Sequence, residues 1–264
     1  MATSMFQPHS VLWHYLWVAP NLLLVVLASI LWKQGLHKKF RGFYIYAWFQ
    51  AVQWAVLYSI DLMPSVPAVD YWRIYWFGVL LESIVLFVLI SDIFGDVFGS
   101  YAALARVGRL LIRWGGAFLL ITATIVAAGA PIDNRTWLAS TSQIMQEAMY
   151  IVVSGLVVLL FVSGAYFRLA WNRRVFGIAL GLGITGCVHL ATWAIRANFG
   201  VVRNSNLLDI ANLATSHVVV LMWYYYLLVP QKVAAKSVVA LPENTLALWN
   251  RELERLLQQR PAHQ

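Results

Sequence analysis

The chain holds one cysteine in 264 residues, Cys187, and that scarcity excludes an internal disulfide, a thiolate-bound metal cluster and a Cys-x-x-Cys redox pair. Charge is scarce as well. Asp, Glu, Lys and Arg make up 11% of the chain while 61% is hydrophobic, and the mean hydropathy is +0.70. A water-soluble domain cannot hide so large an apolar fraction, so most of its surface is expected to face lipid. No lysine falls inside an apolar run, Lys33 and Lys232 standing at the ends, which excludes a retinal Schiff base. The glycine-rich stretch "GIALGLGITG" has no serine for a nucleophile elbow, no Walker loop occurs, and a dinucleotide fingerprint needs a strand before its glycines. Long polar connections are missing too, so no soluble catalytic or sensory domain is expected between the apolar segments.

What is present is a series of seven apolar runs, at 11–32, 43–61, 72–94, 109–130, 143–166, 175–196 and 207–229. About 20 apolar residues cross ~30 Å of hydrocarbon as a helix, and a lipid-facing backbone must satisfy its own hydrogen bonds. Runs this long are helices and not barrel strands. The predicted fold is therefore all-α, a polytopic seven-transmembrane-helix bundle over 1–230 followed by a tail over 231–264. The first run has no basic segment before it and is too long and aromatic for a cleaved signal peptide, so it is read as the first span.

Charge placement gives an orientation. Lys33, Lys38, Lys39, Arg41, Arg106, Arg109, Arg113, Arg168, Arg173, Arg174, Lys232 and Lys236 follow spans one, three, five and seven, whereas only Arg73, Arg135, Arg196 and Arg203 lie at the other ends, near Asp61, Asp70, Asp133 and Asp209. The bias of twelve to four predicts the N-terminus outside and the C-terminus in the cytoplasm, as in a multi-pass protein of the bacterial cytoplasmic (inner) membrane. The basic excess thus reads as a topology signal with attraction to anionic lipid, and no nucleic-acid partner is expected. Aromatic clusters "WHYLW", "DYWRIYW" and "MWYYYLLVP" mark the interfaces, and the short turns "MPSVP" and "APIDN" separate spans.

Polar residues recur at helical spacing. Span five carries Gln143, Gln146, Glu147, Tyr150 and Ser154 on one face; span six carries Thr185, His189, Thr192 and Arg196; span seven carries Asp209, Asn212 and Ser216, with His217 beside them. Span two adds Gln50, Gln53 and Asp61, span one His14 and Asn21, and span three Glu82, while span four has no such stripe. The stripes fall in the outer and middle parts of their helices, and the inner parts, such as "LLLVVLASIL" and "VVVLMW", are apolar. This pattern predicts an outward-opening pocket with a hydrocarbon floor. In it Glu82 and Glu147 supply charge, His189 and His217 hydrogen bonds or pH sensitivity, Gln50, Gln53 and Asn212 polar lining, and Arg196 with Asp209 the rim.

Four roles stay open for the intramembrane acids and imidazoles. Glu82 with His217, or Glu147 with His189, can be structural pairs that fix helix register. They can line a site for a small polar or amphipathic ligand from the outer side. Glu82, Glu147, His189 and His217 can bind zinc or iron, although every ligand then comes from a different helix and no His-x-x-x-His or Glu-x-x-His spacing is present. His189 and His217 can flank a haem. No cofactor is required by the sequence.

The tail holds Leu246, Trp249, Leu253 and Leu256 at helical spacing, with Arg251, Glu252, Glu254 and Arg255 between them, predicting an amphipathic helix over about 243–259. Such a helix lies on the inner leaflet or the bundle, or docks a cytoplasmic partner or a second copy.

The pattern running from "SVLWHYLW" through "SYAALARVGRLL", "APIDN" and "CVHLATWA" to "LWNRELERLLQ" resembles a family of uncharacterised bacterial seven-span membrane proteins over nearly the whole chain. The resemblance implies a seven-helix membrane fold, brings no activity with it and transfers no catalytic residue. Seven-span hydrolases of the alkaline ceramidase and adiponectin-receptor kind are excluded, because they use a three-histidine zinc site with a His-x-x-x-His pair. The reading that results is a receptor- or sensor-like bundle with an outward pocket. Its rivals are a metal- or haem-dependent intramembrane hydrolase or oxidoreductase and a small-solute transporter.

Overall fold

A computed structural model describes residues 10–63, 66–99, 102–128, 135–167, 169, 171–199, 205–229 and 243–258. The "APIDN" turn, and Asp133, Arg168, Arg203, Lys232 and Lys236 of the charge map, lie outside the described residues. Every regular element among those described is helical: α1 (Val11–Lys33), α2 (Arg41–Asp61), α3 (Ala68–Phe98), α4 (Ala102–Ala128), α5 (Arg135–Tyr166), α6 (Arg173–Phe199), α7 (Ser205–Leu228) and α8 (Glu243–Gln258), with a single 3-10 turn at Leu36–Lys38.

Among the described residues, five helices are long and apolar enough to cross a membrane: Val11–Lys33, Ala68–Phe98, Thr141–Tyr166, Arg173–Arg196 and Asn206–Leu228. The bundle's outside calls for lipid. Leu22 and Val26 on α1, Phe77, Leu81, Ile84 and Val88 on α3, Ile151, Val158 and Val162 on α5, and Val218 and Leu221 on α7 are all exposed. Water does not tolerate apolar stripes that run the length of several helices. The chain is therefore a multi-pass membrane protein. α2 is less aliphatic, with tyrosine, tryptophan and glutamine along its 21 residues, and α4 begins with Arg106, Arg109 and Arg113.

Local sequence sets the helix ends. Ser10 caps α1 by accepting a hydrogen bond from the Trp13 amide at 3.2 Å. Gly35, at φ 69°, takes the left-handed conformation that ends the helix and turns the chain back. Phe40 precedes α2 and offers no capping oxygen, so the cap comes from another helix: Asp92 Oδ2 on α3 accepts the Gly42 amide at 3.1 Å. Asn172 Oδ1 performs the same task locally for α6, accepting from the Arg174 amide at 3.0 Å.

Neighbour relations define the architecture. α1 packs on α2, α2 on α3, α3 on α5, α5 on α6, α6 on α7, and α7 returns to α1. Six helices thus close a ring, and α4 lies outside it against α3 and α5, with α8 resting on α4. Span four is the one without a polar stripe, and the reason is now visible: it has no inward face to supply. Of the α8 stripe, Trp249 is half-exposed, while Leu246 and Leu256 lie outside the described side chains.

Small residues let the ring close tightly. At Gly177 an added Cβ would collide with the Cβ of Tyr226, at Gly181 with the Trp223 indole, and at Gly186 with the Ser154 hydroxyl. The glycine run of α6 is a seat for α7 on one side and α5 on the other. Gly177→Ala should destabilise the detergent-solubilised protein by about 1–3 kcal/mol through overpacking, read as a lower melting temperature. Gly155→Ala, where nothing lies within 4 Å, should leave it unchanged.

Candidate functional site

The ring encloses a chamber of about 300 Å³ at the level of the polar stripes. α1 contributes Trp17, Pro20 and Asn21; α2 contributes Tyr46, Gln50, Gln53 and Trp54; α3 contributes Tyr75 and Glu82. α5 adds Gln146 and Tyr150, α6 Thr185 and His189, and α7 Ser216, Val219, Val220 and Trp223. A second chamber of about 400 Å³ shares Trp17, Tyr75, Gln146, His189, Leu213 and Ser216 with the first and extends to Trp13, Asn206, Asp209 and Asn212. The two therefore form one depression that runs from the end where α1 and α7 begin to mid-bundle.

Its floor is packed. Trp223 meets Phe43 edge to face at 5.0 Å and Tyr46 at 6.0 Å. Beneath these rings Leu27, Leu31, Leu89, Ile90, Leu160, Ile178 and Leu227 are buried in one continuous core. Helix direction explains the asymmetry, since α1, α3, α5 and α7 run from polar to apolar and α2 and α6 run the other way. Pro20 is buried in the wall; lacking an amide hydrogen, it leaves the Leu16 carbonyl without its usual helical donor.

Glu82 is the acid at the centre. It is only 7% exposed, and Gln50 Nε2 donates to its Oε1 at 2.6 Å from the neighbouring helix. Tyr75 donates to Gln146 Oε1 at 3.1 Å, tying α3 to α5. Gln53 folds over Gly78, where a Cβ would strike its amide nitrogen. The His189 ring stacks on Tyr150 with centroids 4.2 Å apart. Asn212 and Thr192 exchange contacts of 3.3 and 3.4 Å between α6 and α7, and Arg196 pairs with Asp209 beside them.

Of the residues picked from sequence, Glu82, Gln50, Gln53 and His189 line the deep chamber, and Asn212 and Asp209 the shallow one. Glu147 and Arg196 line a recess of about 50 Å³ between α5 and α6 that also touches His189 and Asn212. His217 is misplaced by the sequence reading. It lies against Tyr15 on α1, with ring centroids 5.6 Å apart and its Nδ1 buried without a partner, and it lines none of these chambers. One residue beyond Ser216 on a helix is a turn of about 100°, which takes it off the inner face.

That rotation dissolves three expectations. Glu82 pairs with Gln50, not with His217; the haem reading loses one of its two imidazoles from the cavity; and Glu82, Glu147, His189 and His217 do not converge. Among the described residues, no three His, Cys, Asp or Glu side chains come together where they could hold a metal ion. The sequence reading also missed Tyr46 and Trp54, which share a face with Gln50, Tyr75, which shares one with Glu82, and Trp223, which shares one with Ser216. Tyr46, Gln50, Gln53 and Leu57 sit at offsets of zero, four, seven and eleven on α2.

No protein-family model, curated protein or solved structure matches this chain.

The Gln50–Glu82 contact should be measurable. Gln50→Leu leaves a buried carboxyl without its donor and should cost about 1–3 kcal/mol in unfolding. In Gln50→Leu with Glu82→Leu much of that loss should return. A double-mutant cycle by thermal unfolding reads the coupling, and additive losses would deny the pair any role.

Proposed function

We propose that the protein is a receptor- or sensor-like membrane bundle that binds a small ligand in an outward-facing polar cavity. Seven of its helices, α1 to α7, span the bilayer, with the N-terminus outside and the C-terminus in the cytoplasm. The charge bias supports this orientation, because the basic residues Lys33, Lys38, Lys39 and Arg41 cluster at the end of the bundle opposite the cavity mouth. The same bias and the family resemblance support a place in a bacterial cytoplasmic membrane.

One observation carries the reading: a depression lined by six helices reaches from one end to mid-bundle and stops at the Trp223, Phe43 and Tyr46 rings. A blind, polar and aromatic cavity suits recognition of a small molecule. Its floor belongs to α2 and α7, so a ligand resting on Trp223 acts directly on the packing of the cytoplasmic half. The outlet for that change is the set of cytoplasmic loops, or α8 through its seat on α4.

Cysteine accessibility tests the orientation and the cavity together. In a Cys187→Ser background, Asn212→Cys and Ser216→Cys should react with a membrane-impermeant thiol reagent added outside intact cells. Val218→Cys, 60% exposed but on the lipid side, and Leu227→Cys, buried below the floor, should not. Labelling of Ser216→Cys only from the cytoplasmic side, or no faster than Leu227→Cys, would overturn the reading.

A further inference from the structure

We propose that the cavity's ligand is a small organic ammonium ion, with its charged head at Glu82 and its body against the surrounding indole and phenol rings. This rests on the outward-pocket reading above and names the chemistry of that pocket.

The first argument is the charge inventory. Among the described residues, Glu82 is the one carboxylic acid lining the deep chamber, and no lysine or arginine lines it as well. The rim arginine, Arg196, is engaged by Asp209. A carboxylate that deep in a membrane bundle calls for a partner of opposite charge. Among the described residues Glu82 has a single hydrogen-bond donor, Gln50, at Oε1, so Oε2 is left to accept.

The second is an unpaired acceptor in the same chamber. Gln53 Oε1 is buried and accepts nothing, which gives an ammonium group a second acceptor in the same chamber. Native interiors leave few such acceptors unpaired, and a donor-only ligand is what an unpaired acceptor beside a carboxylate suits.

The third is the wall. Trp17, Trp54, Trp223, Tyr46, Tyr75 and Tyr150 line the same chamber as the acid. Electron-rich ring faces attract ammonium ions, more strongly where water is excluded. An anionic ligand finds no lysine or arginine among the described residues of this chamber, and a neutral one brings the acid no opposite charge. The volume of about 300 Å³ limits the guest to a small molecule.

Two thiol reagents of opposite charge read this selectivity at Ser216→Cys in the Cys187→Ser background: a trimethylammonium-bearing and a sulfonate-bearing methanethiosulfonate. Normalised to their rates with a free thiol, the ammonium reagent should be favoured by at least about tenfold. Glu82→Gln should abolish the preference and Glu82→Asp keep most of it, which separates charge from folding. Phenethylammonium should slow the labelling in the protein with Glu82 intact, whereas 3-phenylpropanoate and 2-phenylethanol should not. If both reagents enter readily without preference, or if the alcohol or carboxylate protects as well as the amine, the cavity stands and the ammonium assignment falls. If neither reagent reaches Ser216→Cys, the outward pocket itself has failed and the assignment falls with it.

Discussion

Hydrocarbon offers no hydrogen bonds, and the structure follows from how the chain answers that constraint. A polar side chain on a lipid-facing helix must turn inward or lose its partners. Six helices carry stripes of such side chains, and six helices form the ring; α4, whose sequence has no such stripe, stands outside it. The bonds between Gln50 and Glu82, Tyr75 and Gln146, and Thr192 and Asn212 are the local settlements of that demand. They also fix the rotation of α2, α3, α5, α6 and α7 about their axes, which hydrophobic contact alone does not specify.

Apolar length made the helices readable. The runs at 11–32 and 207–229 correspond to α1 and α7 almost residue for residue, because interfacial aromatics and charge mark where hydrocarbon ends. α3 and α5 extend well past their apolar cores, to 31 and 32 residues, since a helix continues into the interface wherever no breaker stops it. Helical spacing likewise brought Glu82, Gln50, Gln53 and His189 to a common place. It failed for His217, whose position one residue off the stripe mattered more than its depth. A list restricted to ionisable and amide side chains also passed over the aromatics on the same faces. Asp92 was invisible for a different reason: its partner is a backbone amide fifty residues away, and no spacing rule encodes a tertiary cap.

The glycines of α6 and the rings of α7 form the complementary surface that keeps the cavity blind. Gly177 and Gly181 admit Tyr226 and Trp223, and Trp223 in turn bridges to Phe43 and Tyr46 on α2. Polar recognition above and close packing below are thus joined through one side chain. Trp223 belongs to both.

The Asp92 contact with Gly42 has a mechanical corollary. A tie at one extremity of two adjacent rods suppresses sliding and leaves swinging as their cheapest relative motion. α2 and α3 are tied at the basic end and carry Gln50, Gln53 and Glu82 farther along. The Gln50–Glu82 bond restrains that swing in turn, so two contacts at different heights hold both the register and the spread of the pair.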